Sequence, residues 1–553
     1  MDNKSTKQKS TNNFIVQGGI LAMAGILVRL LGLFKRIPLA YIIGDVGNGY
    51  YSTAFDIYQI FYTISAYGIP VALSKLVSAK VSKGEYKNAD KIFRCALKFS
   101  IVMGLISTCV VFFFSNSLAH AFGEPMSFLA LRMISPTLLF VCVLSVFRGY
   151  YQGLGTMIPT AISQVIEQIA VVGVGITAAF FLTKYGNKVG MLLHNEDYKY
   201  AYGASGAISG CVAGALCALL FLLLMYKAGS RRFKRNIYKD STTVIDSSLS
   251  IYRAVILTII PIVISSSVTT LSGFCDHFIH NKVMDIKGFN DLKTVNWGIY
   301  SGKYMVLVSV VLALSSAMGM ATVPTLSGHV KKKEFDIAAR KVKSVIRITM
   351  MVAIPAAIGL AVLAPAVMYL LFSTTNEVAP TLLRIGALGI ILFSLSSITG
   401  YILQGMSHLY APIKHAFIAM LIHLCLMTSL LFLTDLKIYA VALSNNVFAL
   451  VMCILNVRSI LRILNCRINI VKTFVMPILS SAIMGVVIYF LNLVLCGEGF
   501  SRVKIVLTVI VGVLVYFMVM LFTKSISSEE LSRIPGGRKM AKFFSRFHLI
   551  DRG

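Results

Sequence analysis

No catalytic apparatus can be assembled from this chain. It has no H-E-x-x-H pair, no G-x-x-x-x-G-K-S/T phosphate loop and no G-x-S-x-G elbow. Without the phosphate loop, and with no soluble insertion large enough for a nucleotide domain, ATP is not expected as a direct energy source. Acidic residues are scarce, 22 among 553. A membrane-embedded transferase would need such residues at a membrane face. The stretch carrying Asp276, His277, His280 and Asp285 is the one candidate, and loop solubility explains it more simply. The ten cysteines form no C-x-x-C pair and are scattered largely within apolar runs (Cys109, Cys142, Cys211, Cys217, Cys425, Cys453). Neither a disulfide framework nor a zinc site is indicated. No catalytic residue, metal or cofactor is expected.

Apolar length is abundant instead. The chain is 57% hydrophobic, with a mean hydropathy of +0.79, far above a soluble domain. Lysine and arginine number 52, giving a net charge of +30. In a soluble protein that surplus would point to nucleic acid. Here most of it sits in short loops, where the positive-inside rule accounts for it, and no nucleic-acid partner is expected. The first apolar span is too long for a signal-peptide core and no small-residue cleavage site follows, so it is expected to stay in the mature protein.

The apolar runs predict an all-α integral membrane protein of fourteen transmembrane helices. Basic clusters follow the second span (Lys80, Lys83, Lys87, Lys91, Arg94), the sixth, the eighth and the twelfth, on the side of Lys4, Lys7 and Lys9. The opposite loops are short or mixed in sign, so both termini are expected in the cytoplasm. The predicted organisation is an N-terminal bundle over 1–228, a cytoplasmic linker over 229–248, a C-terminal bundle over 249–465, two further spans over 466–525 and a basic cytoplasmic tail over 526–553. In the tail, Met540, Phe543, Phe544 and Phe547 share one helical face opposite Lys539, Lys542 and Arg546. That is the pattern of a helix on an anionic leaflet, with a plain solvated tail as the alternative.

The halves resemble each other. Ile69-Pro70-Val71-Ala72-Leu73-Ser74 precedes a basic loop with Gly84-Glu85; Val323-Pro324-Thr325-Leu326-Ser327 precedes one with Lys333-Glu334. Gly149-Tyr150-Tyr151-Gln152-Gly153 with Pro159 beyond is matched by Gly400-Tyr401-Ile402-Leu403-Gln404-Gly405 with Pro412 beyond. Both pairs stand roughly 250 residues apart with six spans between them. Parallel repeats of two six-helix bundles, with the substrate site between them, are therefore expected.

Basic residues inside apolar spans carry the functional reading. An ionised side chain at the bilayer centre costs roughly 2.5–3.5 kcal/mol even on the lenient insertion scale. Arg29 lies too deep in the first span for easy snorkelling. Lys35 and Arg36 lie deeper, and Lys303 opens the eighth span, its counterpart in the other bundle. These cations are expected to converge on one cavity and hold an anion, arginine by bidentate pairing with phosphate and lysine as a mobile point charge. Internal pairing is the competing account, since Asp56 and Glu167 are each able to neutralise one cation. Asp56 and Glu167, the latter the one acid of the fifth span, are also candidate proton or cation coupling sites. Arg132, Arg384 and Lys414 read as anchors at span rims.

The run Phe147-Arg148-Gly149-Tyr150-Tyr151-Gln152-Gly153…Met157-Ile158-Pro159-Thr160-Ala161-Ile162-Ser163-Gln164-Val165-Ile166-Glu167-Gln168, with Val28-Arg29-Leu30-Leu31-Gly32-Leu33 and the Gly44 turn, resembles a known family. It looks like the Gram-positive branch of the MurJ-type lipid II flippases, which includes the stage V sporulation protein B group. These belong to the multidrug/oligosaccharidyl-lipid/polysaccharide exporter superfamily. The resemblance covers essentially the whole chain. It implies a transporter of the bacterial cytoplasmic membrane that moves lipid II, an undecaprenyl-pyrophosphate glycopeptide, from inner to outer leaflet by alternating access. The partners it implies are lipid II, membrane lipids and proteins of cell-wall synthesis, with Na+, H+ or the membrane potential as the driving force. The family's cavity cations map onto Arg29, Lys35 and Lys303. Its Gram-negative members carry a further arginine in the second helix, and none stands between Tyr50 and Ala72 here. Its last two helices form a groove for the lipid tail. The rival expectations are a flippase for capsule, teichoic-acid or spore-cortex precursors, and a cation-coupled multidrug exporter, which would favour cavity acids over cavity cations.

Overall fold

The computed structural model describes residues 2–374, 376–496 and 501–523, and these are helical with no strand among them. The order is α1 (Asp2–Tyr62), α2 (Ile69–Val81), α3 (Tyr86–Phe113), α4 (Ser115–Ala121), α5 (Phe128–Gly153), α6 (Ile158–Leu193), α7 (Asp197–Tyr238), α8 (Ser248–Ile286) and α9 (Asn290–Ile299). There follow α10 (Met305–Lys331), α11 (Phe335–Val362), α12 (Ala364–Phe372), α13 (Val378–Gly405), α14 (Tyr410–Leu433), α15 (Ile438–Leu464), α16 (Met476–Cys496) and α17 (Arg502–Phe522). Short π-helical segments at Thr63–Tyr67, Tyr300–Tyr304 and Val471–Val475 precede α2, α10 and α16. Among the described residues eleven helices are long and apolar enough to cross a membrane, or twelve with α8, whose two halves meet at 46°. Their outward faces are apolar, as along α16 (Ile478, Leu479, Ile483, Val486, Phe490). A helix apolar all round has lipid as its solvent. The first predicted span and the start of the second are run together in α1, which breaks at Gly44, and the tail reading lies outside the described residues.

The chain forms two compact units, Met1–Gly302 and Lys303–Gly553. The predicted N-terminal bundle ended at 228, yet α8 and α9 pack with the first unit. Ile251, Val255 and Ile259 of α8 join the apolar cluster of Leu73, Phe93, Phe147 and Leu222. Further along α8, Phe274 and Phe278 pack on the cluster containing Phe122 and Leu131. Apolar burial on α8 thus decides where it belongs. In the second unit, α16 packs on α11 and α17, and Tyr516 donates to the Met351 carbonyl at 2.8 Å.

The repeated motifs fold alike. Helix α2 ends in a turn where Gly84 is left-handed (φ 80°), with Gly84 N bonded to Val81 O and Glu85 N to Lys80 O. Helix α10 ends in the same turn, with Lys333 left-handed (φ 61°), Lys333 N on Val330 O and Glu334 N on His329 O. Both turns are clamped by a side-chain contact of the same spacing, Lys80–Glu85 at 2.9 Å and His329–Glu334 at 2.7 Å. The ends of α5 and α13 also match, Gly155 and Ser407 both being left-handed after the Gln152 and Gln404 turns. Within each unit one motif rests on the other: Gly153 meets Ser74 and Val77, and Gly405 meets Val323 and Leu326.

Between α7 and α8 the chain is strapped to the α2–α3 turn. Asp240 accepts from the Lys87 amide at 2.7 Å, Asn88 donates to Val244 O and accepts from Asp246 N, and Lys80 pairs with Asp246 at 2.7 Å.

Candidate functional site

A cavity of about 400 Å3 lies wholly within the first unit. Its wall comes from α1 (Lys35, Arg36, Tyr51, Phe55, Tyr58, Gln59, Tyr62), α5 (Thr137, Val141, Arg148), α6 (Glu167, Gln168, Val171) and α7 (Cys211). Helix α1 reaches it twice because of Gly44, whose φ of 65° and ψ of −171° are open essentially to glycine alone. The bend returns the second half of α1 past the first, so that Lys35 and Tyr51 meet.

Lys35 is buried. Its Nζ donates to the Ala207 carbonyl at 3.2 Å and lies 3.5 Å from the Tyr51 hydroxyl. It passes through a gap left by Gly175, where a Cβ would stand 3.1 Å from Lys35 Cε. Arg36 stacks its guanidinium on the Tyr51 ring, 4.9 Å from the centroid, within cation–π range. Its Nη1 is buried and has no hydrogen-bond partner among the described residues. A buried orphaned donor in a native structure calls for an explanation, and a bound anion supplies one. Arg148 is already matched: Nη2 donates to Glu167 at 2.6 Å and Nε to Ser163 at 3.0 Å. Three cations and one carboxylate on the wall leave two net positive charges.

Sequence reasoning missed the aromatic stripe that runs on from these cations. Tyr51, Phe55, Tyr58 and Tyr62 follow one another with ring centroids 6.0, 5.8 and 5.9 Å apart, the outer pairs stacked and Phe55–Tyr58 tilted. Their spacing of four, three and four residues is one face of a helix and was there to be read. The other sequence candidates lie elsewhere. Arg29 is exposed on α1 and does not line this cavity. Asp56 pairs with His277 on α8 at 2.7 Å. Lys303 is buried in the π-helical segment that opens the second unit. Arg384 and Lys414 are exposed, and Arg132, also exposed, bonds Ser115 at 3.0 Å and stacks over Phe128.

One acid stands out beyond the spans. Glu124, between α4 and α5, is buried, with Thr294 Oγ1 2.7 and 2.8 Å from its two oxygens. Burial pushes its carboxyl up to about 7, against the opposing pull of the Thr294 bond and Lys293. The folded state therefore holds a proton that the unfolded chain releases. The stability this confers is fully present below the ordinary carboxylate range and is lost as pH rises through about 7. The shift is worth on the order of 3 kcal/mol. Thermal stability should fall between about pH 4.5 and pH 7, and Glu124→Gln, compared with the parent at each pH, should remove that component. Parallel curves would mean that Glu124 does not titrate in this range.

The chain matches the family described as polysaccharide biosynthesis protein over residues 15–330. It is 24% identical over 521 residues to stage V sporulation protein B of Bacillus subtilis (strain 168), covering 93% of this chain and 96% of that protein. It is also 24% identical over 525 residues to lipid II flippase MurJ of the same organism, covering 90% and 93%. The fold superposes on a solved lipid II flippase MurJ in an inward closed conformation with a TM-score of 0.62, at 16% identity, over 90% of this chain and 97% of that one. With its membrane-length helices and the fold of solved flippases, the chain is a multi-pass protein of the cytoplasmic membrane, and it belongs to the polysaccharide biosynthesis protein family.

Proposed function

We propose that this transporter flips a lipid-linked oligosaccharide whose linkage is a pyrophosphate, with lipid II as the substrate. The observation that carries the reading is Arg36, which lines a cavity with two net positive charges and whose Nη1 is buried with no hydrogen-bond partner among the described residues. A pyrophosphate offers what a guanidinium fork and an ammonium recognise. The relative named lipid II flippase supports the choice of substrate. Arg29 and Lys303 are proposed as further contacts for the substrate, and the proposed plan has fourteen membrane helices, cytoplasmic termini and parallel six-helix halves. In it, the last two helices hold the polyprenyl tail and the headgroup crosses by alternating access.

The test is replacement of an essential lipid II flippase in depleted cells. Growth should return with this chain and fail with Arg36→Ala present at equal level in the membrane. Membrane-inserted parent protein that gives no growth would remove lipid II as substrate. The relative named for sporulation favours a second reading, a flippase for another undecaprenyl-linked glycan such as a spore-cortex precursor. Rescue of a sporulation mutant without rescue of growth would select it.

A further inference from the structure

A second polar cluster in the first unit has no part in that reading. Asp56, on the second half of α1, has Oδ2 2.7 Å from Nδ1 of His277 on α8. His277 is fully buried. Its ring lies flat on the indole of Trp297, centroids 3.9 Å and planes 10° apart, and Phe122 meets it edge-on at 4.9 Å. Its Nε2 is 3.4 Å from Thr53 Oγ1, which is also 3.2 Å from the Gly49 carbonyl.

This arrangement accommodates two protonation states. A threonine hydroxyl has one hydrogen and two lone pairs. With neutral His277, Nδ1–H donates to Asp56 and Thr53 donates to Nε2. With the imidazolium, Nε2–H donates to Thr53, whose own hydrogen turns to the Gly49 carbonyl. Neither state leaves a buried polar atom of the imidazole or the threonine unsatisfied, so a proton can enter or leave without repacking. An imidazole nitrogen against the carboxylate suits a proton better than Na+, which prefers an all-oxygen shell.

The charged and titratable groups around the pair come from every packed element. On α1, Arg36 stacks over the Tyr51 ring, five residues before Asp56; on α8 stand Asp276, His280 and Asp285. Lys293 of α9 bonds Asp285, and Glu124, two residues past Phe122, bonds Thr294. Arg36 alone among them also lines the cavity. We propose that Asp56 and His277 form the transporter's proton-binding site, linked to anion occupancy of the neighbouring cavity through Arg36. The link rests on the anion reading of that cavity. An anion that engages Arg36 withdraws a compensating charge from Asp56, so the pair takes its proton at higher pH. By reciprocity, the bound proton favours the anion.

The chain has a single tryptophan, Trp297, and it lies against His277. Its emission is a built-in reporter, because a charged imidazole stacked on indole quenches it. The full chain in detergent should lose emission in one step on acidification. The step should vanish in His277→Gln and move down by about 1–3 pH units in the isosteric Asp56→Asn, which removes the anionic partner. Inorganic pyrophosphate should move the parent midpoint upward and leave that of Arg36→Gln in place. A step that survives in His277→Gln, or that ignores Asp56→Asn, overturns the site. Pyrophosphate that binds calorimetrically without moving the midpoint overturns the link. Pyrophosphate that does not bind counts against the anion reading and the link together, while the proton site stands or falls on the two variants.

Discussion

Replacing Arg36 with alanine should cut flipping of a fluorescent lipid-linked pyrophosphate in proteoliposomes by about 100-fold or more. Removing one partner of a desolvated charge pair costs about 2–5 kcal/mol, and each 1.36 kcal/mol is a factor of ten. Arg36 carries this expectation because no other cation on the cavity wall has a buried donor without a partner among the described residues. Arg148 spends its fork on Glu167 and Ser163. Lys35 gives a hydrogen to the Ala207 carbonyl and stands beside the Tyr51 hydroxyl. Arg132 is a matched control: a guanidinium near a helix end, exposed, bonded to Ser115 and stacked over Phe128. Arg132→Ala should leave transport within about twofold, as expected of an exposed polar contact. Equal loss in both variants would show that net charge, not the Arg36 site, governs transport. Lys35→Ala should combine reduced transport with reduced stability, since it also empties the space that the buried lysine stem fills.

The sequence made the repeat and the cavity cations visible for different physical reasons. The repeat rests on turns, and a left-handed residue followed by a glutamate that reaches back five positions is a local device with a local signature. Lys35 and Arg36 were visible because charge inside an apolar run is contrast. Glu167 was recognised as an acid able to neutralise a cation, and it does so for Arg148. What stayed hidden lacked contrast or locality. In a helix that is apolar all round, the Tyr51–Tyr62 stripe stands against no polar face, so its inward direction has no marker. The Gly44 break looked like a loop between spans, because one glycine does not say whether helix resumes at once. His277 meets Asp56 across 221 residues of chain, and no periodicity reports such a pairing. The packing of α8 with the first unit is a further tertiary choice. Its apolar residues read equally well against either half.

The second large effect is expected where α9 crosses α1. Ser52 and Ser301 hydroxyls stand 2.5 Å apart, and Gly298 packs so closely that a Cβ there would overlap the Asp45 carbonyl. A Cβ on Gly302 would fall 2.8 Å from the Asn48 side chain, and one on Gly49 2.5 Å from the Thr294 carbonyl. Small residues four apart, Gly298 and Gly302, let two membrane helices approach until their backbones touch, and dispersion and short polar contacts then replace the hydrophobic effect that lipid cannot supply. The obstacle at Gly298 is backbone, so no side-chain rotation relieves it. Gly298→Leu should therefore destabilise the chain by about 3 kcal/mol or more, at the upper end of overpacking costs, and abolish transport. Gly273 on α8, where a methyl group would meet nothing within 4 Å, should accept alanine and gain up to about 1 kcal/mol from helix propensity. Thermal unfolding of the two variants in one detergent separates these outcomes. Parent-like stability and transport in Gly298→Leu would mean that α1 and α9 work further apart than they stand here. Loss confined to transport would instead mark the crossing as a place where the two helices must close during the cycle.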